Sequence, residues 1–135
     1  MVTPRGDVVM DEQVKDEVLA VYEAYVAAFR ANDVQAIDKL MQYPLAHIGN
    51  DQTTLLDAYP IQPAEMRAAK QWHDTKDIAH EVVFASADKA HIILRQATRV
   101  RADGSPIETI SVFYALTRTA SGWKFFAVSD IIIPA

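Results

Sequence analysis

The pattern of hydrophobic and polar positions changes near the middle of the chain. In the first half, apolar residues recur every three or four positions, which is typical of helices buried on one side. From about Ile78 to Ile132 the chain instead consists of long runs separated by short turns of small and polar residues. Helices followed by a series of strands indicate an antiparallel sheet with the helices collected on one face. The pattern therefore predicts an α+β fold.

Two helices are predicted at the beginning of the chain. Asp11 has the short polar side chain of a helix cap, and apolar residues from Val14 to Phe29 then recur on one face of a long helix. Asp33 is placed to cap a second helix. Pro44 ends that helix, because proline lacks the N–H group that continues one.

A small hairpin, a third helix and four long strands follow. The hairpin is closed by a turn at residues 49–52, and Pro63 suits the first position of a helix that runs to about Thr75. The turns then predict four long strands at Ala79–Ser86, His91–Arg101, Ile107–Arg118 and Trp123–Ile132.

The length predicts one domain. A chain of 135 residues is long enough for one core and short for two. We interpret residues 1–10, which include Pro4 and Gly6 and have no apolar run, as a flexible lead-in and not a secretory signal. Residues 11–135 would form the single domain.

Composition removes several classes of function. The net charge of −5 disfavours general nucleic-acid binding, which needs a basic face. No apolar run is long enough to span a membrane, so we expect a soluble protein. The absence of cysteine excludes disulfides and thiolate metal sites and fits a cytoplasmic protein. The sequence predicts no cofactor and no metal, since the four histidines lack metal-binding spacing.

The last two strands are apolar on both faces. In the first of these, Val112 and Tyr114 lie on one face while Phe113 and Ala115 lie on the other. An antiparallel sheet with one face in water should alternate more cleanly. We therefore expect the second face to be covered by another copy of the chain, giving a homodimer.

Two segments resemble a known superfamily. Tyr25 to Asp33, Tyr-Val-Ala-Ala-Phe-Arg-Ala-Asn-Asp, resembles the Tyr-x-x-Ala-x-x-x-x-Asp segment that joins the first two helices of the nuclear transport factor two superfamily. The segment Gly122-Trp-Lys-Phe125 resembles the opening of its last strand. That superfamily includes the SnoaL-like proteins and ketosteroid isomerase. The resemblance implies a cone-shaped fold, with three N-terminal helices packed on a curved, mainly antiparallel sheet.

The resemblance also implies candidate catalytic residues. Tyr25 falls at the place of the isomerase tyrosine that hydrogen-bonds the substrate oxyanion, and Tyr114 falls at the place of the second oxyanion donor. The place of the carboxylate base holds Gly49, with Asn50 and Asp51 beside it, so the base is missing or displaced. The alternative for the two tyrosines is a hydrogen bond to the backbone or to each other.

His47 and Asp130 are further polar candidates. His47 lies on the short strand that walls the pocket in this fold and is either a base or ligand contact, or a wall histidine with a structural partner. Asp130 lies among isoleucines and needs a partner, for which we predict Arg95 or Arg99, with a catalytic acid as the alternative.

These residues predict a partly apolar pocket with Phe29, Tyr43 and Trp72 as ligand contacts. We expect a protein that binds a small apolar molecule bearing a polar group. One alternative is an isomerase, cyclase or dehydratase with His47 as base and Tyr25 and Tyr114 as donors. The other alternative is an interaction domain that only dimerises.

Overall fold

The computed structural model describes residues 9–135, so most of the predicted flexible lead-in, residues 1–8, lies outside the described residues. Three helices and six strands follow one another as α1 (Glu12–Arg30), α2 (Val34–Lys39), β1 (Met41–Ile48), β2 (Thr53–Leu56), α3 (Pro63–Lys70), β3 (Asp74–Ala85), β4 (Lys89–Val100), β5 (Pro106–Thr119) and β6 (Gly122–Pro134).

The six strands form one curved sheet in the order β2-β1-β6-β5-β4-β3. Every neighbouring pair is antiparallel except β1 and β6, which run parallel. The helices pack on one face of this sheet, and the core lies between the two layers. The predicted α+β fold with helices on a mainly antiparallel sheet is confirmed.

The two predicted helix caps are present. The Asp11 carboxylate accepts hydrogen bonds from the backbone N–H groups of Gln13 (2.9 Å) and Val14 (3.2 Å). The Asp33 carboxylate accepts one from Ala36 N–H at 3.1 Å. These bonds satisfy N–H groups that have no partner within the helix. They fix where α1 begins and where the chain turns into α2.

Several predicted boundaries are wrong. The second helix ends at Lys39, and Pro44 lies inside β1, where the pairing with β6 is interrupted between Met41 and Ala46. A proline has no N–H to donate to a neighbouring strand, so it is tolerated where the pairing between strands is interrupted. The third helix ends at Lys70 because Gln71 adopts a left-handed conformation (φ 57°), and β3 already begins at Asp74.

Two β-bulges decide which side chains face the helices. On β4, Leu94 pairs with Val112 and Ala97 with Ile110, so β4 carries one extra residue between these pairs. On β6, Phe125 pairs with Leu116 and Ala127 with Ala115, which again leaves one extra residue. An extra residue reverses the alternation of side chains beyond it.

The reversal brings two charged residues to the helix-facing side. Leu94 faces the helices before the β4 bulge, and Arg99 does so after it. Phe125 is buried before the β6 bulge, and Asp130 faces the same side after it. A regular strand would have placed Arg99 and Asp130 on the outer face.

Replacing the first helix cap should measure its contribution to folding. Asp11→Ala removes the acceptor for two backbone N–H groups, so we expect the free energy of unfolding to fall by about 0.5–2 kcal/mol. Asp16→Ala, an exposed acidic residue within α1, is the control and should change it by less than about 0.5 kcal/mol. Urea unfolding measures both. Equal effects of the two substitutions would contradict the cap.

Candidate functional site

A cavity of about 120 Å³, partly open to solvent, lies between α1 and the sheet. One part of its wall is aromatic and is formed by Tyr22, Tyr25, Phe29, Trp72 and Tyr114. Aliphatic side chains from α1 and the central strands cover most of the remainder. The polar side chains on the wall are Arg30, Thr75, Arg99 and Asp130. The cavity is therefore mostly apolar with a few charged groups.

The structure brings four of the six residues predicted from the sequence to this cavity, namely Tyr25, Phe29, Trp72 and Tyr114. Tyr43 and His47 do not line it. The Tyr43 hydroxyl donates a hydrogen bond to the Asp38 carboxylate at the end of α2. His47 lies one side chain away from the cavity, because its Nε2 is 3.5 Å from Oδ2 of Asp130, which does line it.

Tyr25 is paired with a second tyrosine. Its hydroxyl oxygen lies 2.6 Å from that of Tyr59, which is buried behind it and does not line the cavity. In such a pair one hydroxyl donates and the other keeps its own proton for a third group. When Tyr59 donates, the proton of Tyr25 is available to a ligand. The sequence-based alternative was a bond between Tyr25 and Tyr114, but the hydrogen-bond partner of Tyr25 is Tyr59.

The aromatic rings hold Tyr25 and Tyr114 in place. Tyr25 packs against Phe125 at 5.1 Å and against Tyr114 at 6.0 Å between ring centroids, and Tyr114 packs edge-on against Tyr22 at 5.6 Å. Edge-to-face contacts at these distances are favourable and directional. The two phenols are therefore fixed by packing before any ligand arrives.

All five tyrosines have a raised pKa. Burial raises the pKa of Tyr22 to about 12, with a further rise from the neighbouring Tyr25. Burial is also the main cause of the raised pKa at Tyr25, Tyr43, Tyr59 and Tyr114. The phenols therefore stay protonated at neutral pH and serve as hydrogen-bond donors, not as bases.

A charged cluster of Lys70, Arg99 and Glu108 reaches the cavity through Arg99, which lines one end of it. Both carboxylate oxygens of Glu108 lie 2.8 Å from Nζ of Lys70, and one also accepts a hydrogen bond from Nη1 of Arg99. Burial would raise the pKa of the Glu108 carboxyl, but the bonds and charges of Lys70 and Arg99 hold it below its ordinary value. Glu108 is thus ionised at neutral pH.

Trp72 lies beside this cluster. Its Nε1–H is shared between the carbonyl of Asp74 (2.8 Å) and the hydroxyl of Thr75 (3.1 Å), which fixes the ring. The guanidinium carbon of Arg67 lies 4.0 Å from the ring centroid, and that of Arg99 lies 5.6 Å from it. The charged end of the cavity is therefore also an aromatic surface.

The predicted partner of Asp130 is wrong. Arg95 pairs with Glu81 and Arg99 pairs with Glu108, which leaves His47 as the neighbour of Asp130. The β4 bulge separates the two arginines, turning Arg95 outward and Arg99 inward. The sequence signal for Asp130, a carboxylate in a run of isoleucines, was present. Its position on the cavity wall depended on a bulge that the pattern does not reveal.

Within residues 9–135, no group of three or more acidic, histidine or cysteine side chains is arranged to hold a metal ion. No helix in that range is both long and apolar enough to cross a membrane.

Residues 16–130 match the family model described as NTF2-like protein (DUF6841). The chain belongs to this NTF2-like family. The superfamily resemblance drawn from the Tyr25–Asp33 segment is thereby confirmed. No curated protein sequence matches the chain.

Solved structures give the same fold at low sequence identity. An NTF2-like protein of unknown function from Pseudomonas putida superposes with a TM-score of 0.66 at 14% identity, covering 90% of this chain and 88% of that one. A conserved protein from Planctomyces limnophilus gives 0.65 at 12% identity, covering 93% and 100%. An NTF2-like protein from Cytophaga hutchinsonii gives 0.62 at 16% identity, covering 92% and 100%. At these identities the likeness shows the NTF2-like fold alone.

Alkaline titration of this NTF2-like protein should show the burial of its tyrosines. Each folded phenol has a pKa above its ordinary value of 10.0, so the folded state holds these protons more tightly than the unfolded state. The resulting stability is complete below pH 10.0 and is lost as the pH rises above it. We expect phenolate absorbance to appear cooperatively, together with loss of circular dichroism. Ionisation of tyrosines near pH 10.0 in a protein that stays folded would contradict this.

Proposed function

We propose that this NTF2-like protein binds a small, mostly apolar molecule that carries one polar group. The observation that carries the proposal is the meeting of aromatic side chains and protonated phenols at one cavity, with Tyr25 and Tyr114 on its wall. Apolar walls with a few polar groups are the usual composition of small-molecule sites. The open cavity also favours a binding protein over a domain that only dimerises.

The size of the cavity limits the ligand. Its volume of about 120 Å³ is well below that of sites for drug-sized molecules, about 300–1,000 Å³. It is close to that of an apolar cavity of about 150 Å³ that accommodates benzene. We therefore expect this cavity to enclose about one ring of a ligand, or an aliphatic group of similar size.

The hydroxyl of Tyr25 is the neutral donor best placed for the polar group of the ligand. Tyr25 lines the cavity, its phenol is protonated at neutral pH, and the bond to Tyr59 leaves one proton of the pair for a third partner. A buried phenol that meets a ligand carbonyl adds directionality to a contact surface that is otherwise apolar.

The phenol contact can be tested with two matched ligands, acetophenone and ethylbenzene, by isothermal calorimetry. Tyr25→Phe should weaken acetophenone binding by about 1–3 kcal/mol, the scale of a lost buried hydrogen bond, and leave ethylbenzene unchanged. Tyr43→Phe, which alters a phenol outside the cavity, is the control and should change neither ligand. If neither ligand binds the wild-type protein, or if Tyr25→Phe binds acetophenone as well as wild type, the proposed anchor is wrong.

A second candidate function is proton transfer of the isomerase, cyclase or dehydratase type. The observation in its favour is the Asp130 carboxylate on the cavity wall, supported from behind by His47. The sequence-based proposal used His47 as base with Tyr25 and Tyr114 as donors. Because His47 does not line the cavity, Asp130 is the group that would take the proton, and His47 would orient the carboxylate or share its proton.

Isotope exchange tests this chemistry. If Asp130 removes a proton next to the carbonyl of bound acetophenone, the wild-type protein should accelerate exchange of the methyl hydrogens with deuterated water, followed by nuclear magnetic resonance. Asp130→Asn should reduce the exchange by about 100-fold or more while ligand binding persists, since the amide cannot accept the proton. Exchange at the wild-type rate in Asp130→Asn would exclude this residue as the base.

We also propose that the protein forms a homodimer through the face of the sheet opposite the helices. Large apolar side chains remain exposed on that face, among them Ile48, Phe113, Ile131 and Ile133. They lie near one another, because Ile48 and Phe113 both pair with Ser129 of β6. A contiguous apolar patch of this kind is typical of a surface covered by a partner.

A charge in the patch should separate the copies. Light scattering is expected to give twice the chain mass of 15.0 kDa for the wild type and a shift toward the single mass for Phe113→Glu. Ser121→Glu, in the exposed turn before β6, is the matched control and should remain dimeric. A wild-type protein that is monomeric at micromolar concentration would overturn the homodimer.

A further inference from the structure

The cavity has a cationic end that its own fold does not neutralise. Lys70 and Arg99 both bind the single carboxylate of Glu108, so the cluster of two cations and one anion keeps one positive charge. The Arg99 side chain is only 12% exposed and that of Glu108 only 8%. The Lys70 side chain is 33% exposed and is screened by water, so the part of the excess charge that an anion would stabilise lies at Arg99.

Among residues 9–135, no carboxylate other than Glu108 forms an ion pair with Lys70 or Arg99. Asp130 is the acidic residue on the cavity wall, but its neighbour is His47, and it forms no ion pair with Arg99 within 4.0 Å. Along the sheet the two residues are far apart: Arg99 pairs with Glu108, and Asp130 pairs with Val112 on the same strand. With one strand between them, their backbones are separated by roughly 15 Å.

Part of the Arg99 guanidinium is free to bind a ligand. Its Nη1 is engaged by Glu108, and the described residues provide no hydrogen-bond partner for Nε or Nη2. Among those same residues, no fully buried side-chain nitrogen or oxygen lacks a partner. The remaining nitrogens of Arg99 are therefore accessible, and Arg99 is one of the residues that line the cavity.

Arg99 acts on the same region as the phenols. Burial raises the pKa of Tyr25 and of Tyr114, and the positive charge of Arg99 works in the opposite direction on both. Its charge therefore reaches the hydroxyl groups on the aromatic wall. The ring of Trp72 lies 5.6 Å from the guanidinium carbon, and Phe29 packs against Trp72 at 5.6 Å. Arg99 thus lies at the end of an aromatic surface formed by Phe29 and Trp72.

We propose that the polar group of the ligand is a carboxylate, held by Arg99, with a single-ring apolar body packed against Phe29 and Trp72. This inference rests on the proposed function and adds the chemical class of the ligand. A guanidinium suits a carboxylate because its N–H groups are planar and match the two carboxylate oxygens. Anion binding would also balance the excess charge of the Lys70–Arg99–Glu108 cluster.

The test compares benzoate with benzamide, which has the same ring and nearly the same shape but no charge. Isothermal calorimetry at neutral pH should show benzoate binding about 10- to 100-fold more tightly than benzamide to the wild-type protein, the range of a charge-assisted hydrogen bond. Acetophenone, the neutral ligand used for the phenol contact, reports whether the cavity binds at all.

Variants assign the preference to Arg99. Arg99→Met should abolish the preference for benzoate and leave benzamide and acetophenone binding within about threefold, because Lys70 still neutralises Glu108. Arg99→Lys keeps the charge and should retain part of the preference. Arg95→Met is the matched control: Arg95 lies on the same strand and also pairs with a glutamate, but it does not line the cavity, so the preference should persist.

The outcomes separate this inference from the proposed function. Neutral ligands that bind without any preference for benzoate would overturn the carboxylate and leave the binding function intact. A preference that survives Arg99→Met in a protein with unchanged circular dichroism would also overturn it. If neither the neutral ligands nor benzoate bind, both the proposed function and the carboxylate are wrong. If Arg99→Met does not fold, Arg99→Lys decides the question. A preference for benzoate equal to that of the wild type contradicts a contact of two N–H groups with the carboxylate. Loss of most of that preference supports the contact.

Discussion

The candidate site depends on the two β-bulges that reverse the side-chain alternation of β4 and β6. A largely enclosed arginine and a half-buried aspartate are unfavourable in an apolar layer, and a regular strand would have directed Arg99 and Asp130 to the outer face. Leu94 and Phe125 precede the bulges and are part of the core. Arg99 and Asp130 follow the bulges and therefore face the cavity. The same strands therefore provide a hydrophobic core at one end and charged cavity walls at the other.

Another part of the cavity wall is formed by α1. Its buried stripe, from Val14 through Val18 to Tyr22, packs on the sheet, and the next turn presents Tyr25 and Phe29 to the space that the curved sheet leaves open. Tyr59 holds Tyr25 from behind, and Glu108 holds Arg99. Tyr25 and Arg99 are thus each positioned by a second side chain, which is how a site keeps its geometry without a ligand.

The fold could be predicted from the sequence because local signals agree with the global arrangement. The caps at Asp11 and Asp33 and the turns between the long strands act through neighbouring residues, so they are readable from the chain. Four residues on the cavity wall could also be predicted, because their positions follow from helix periodicity or from the resemblance: Tyr25, Phe29, Trp72 and Tyr114. The predicted partner of Asp130 and the predicted position of His47 in the pocket were wrong, because strand pairing and bulges depend on neighbours distant in sequence. The bond between Tyr59 and Tyr25 was not predicted for the same reason, since the two residues lie 34 positions apart.

The proposed function depends on one cavity, and methyl resonances of isoleucine can report on it directly. Ile78 and Ile110 line the cavity, whereas Ile131 and Ile133 are exposed and line no part of it. On titration with benzoate, protein-observed nuclear magnetic resonance should show saturable shifts at Ile78 and Ile110 and none at Ile131 and Ile133. Shifts confined to Ile131 and Ile133, or no shifts with any of the single-ring ligands, would contradict the account.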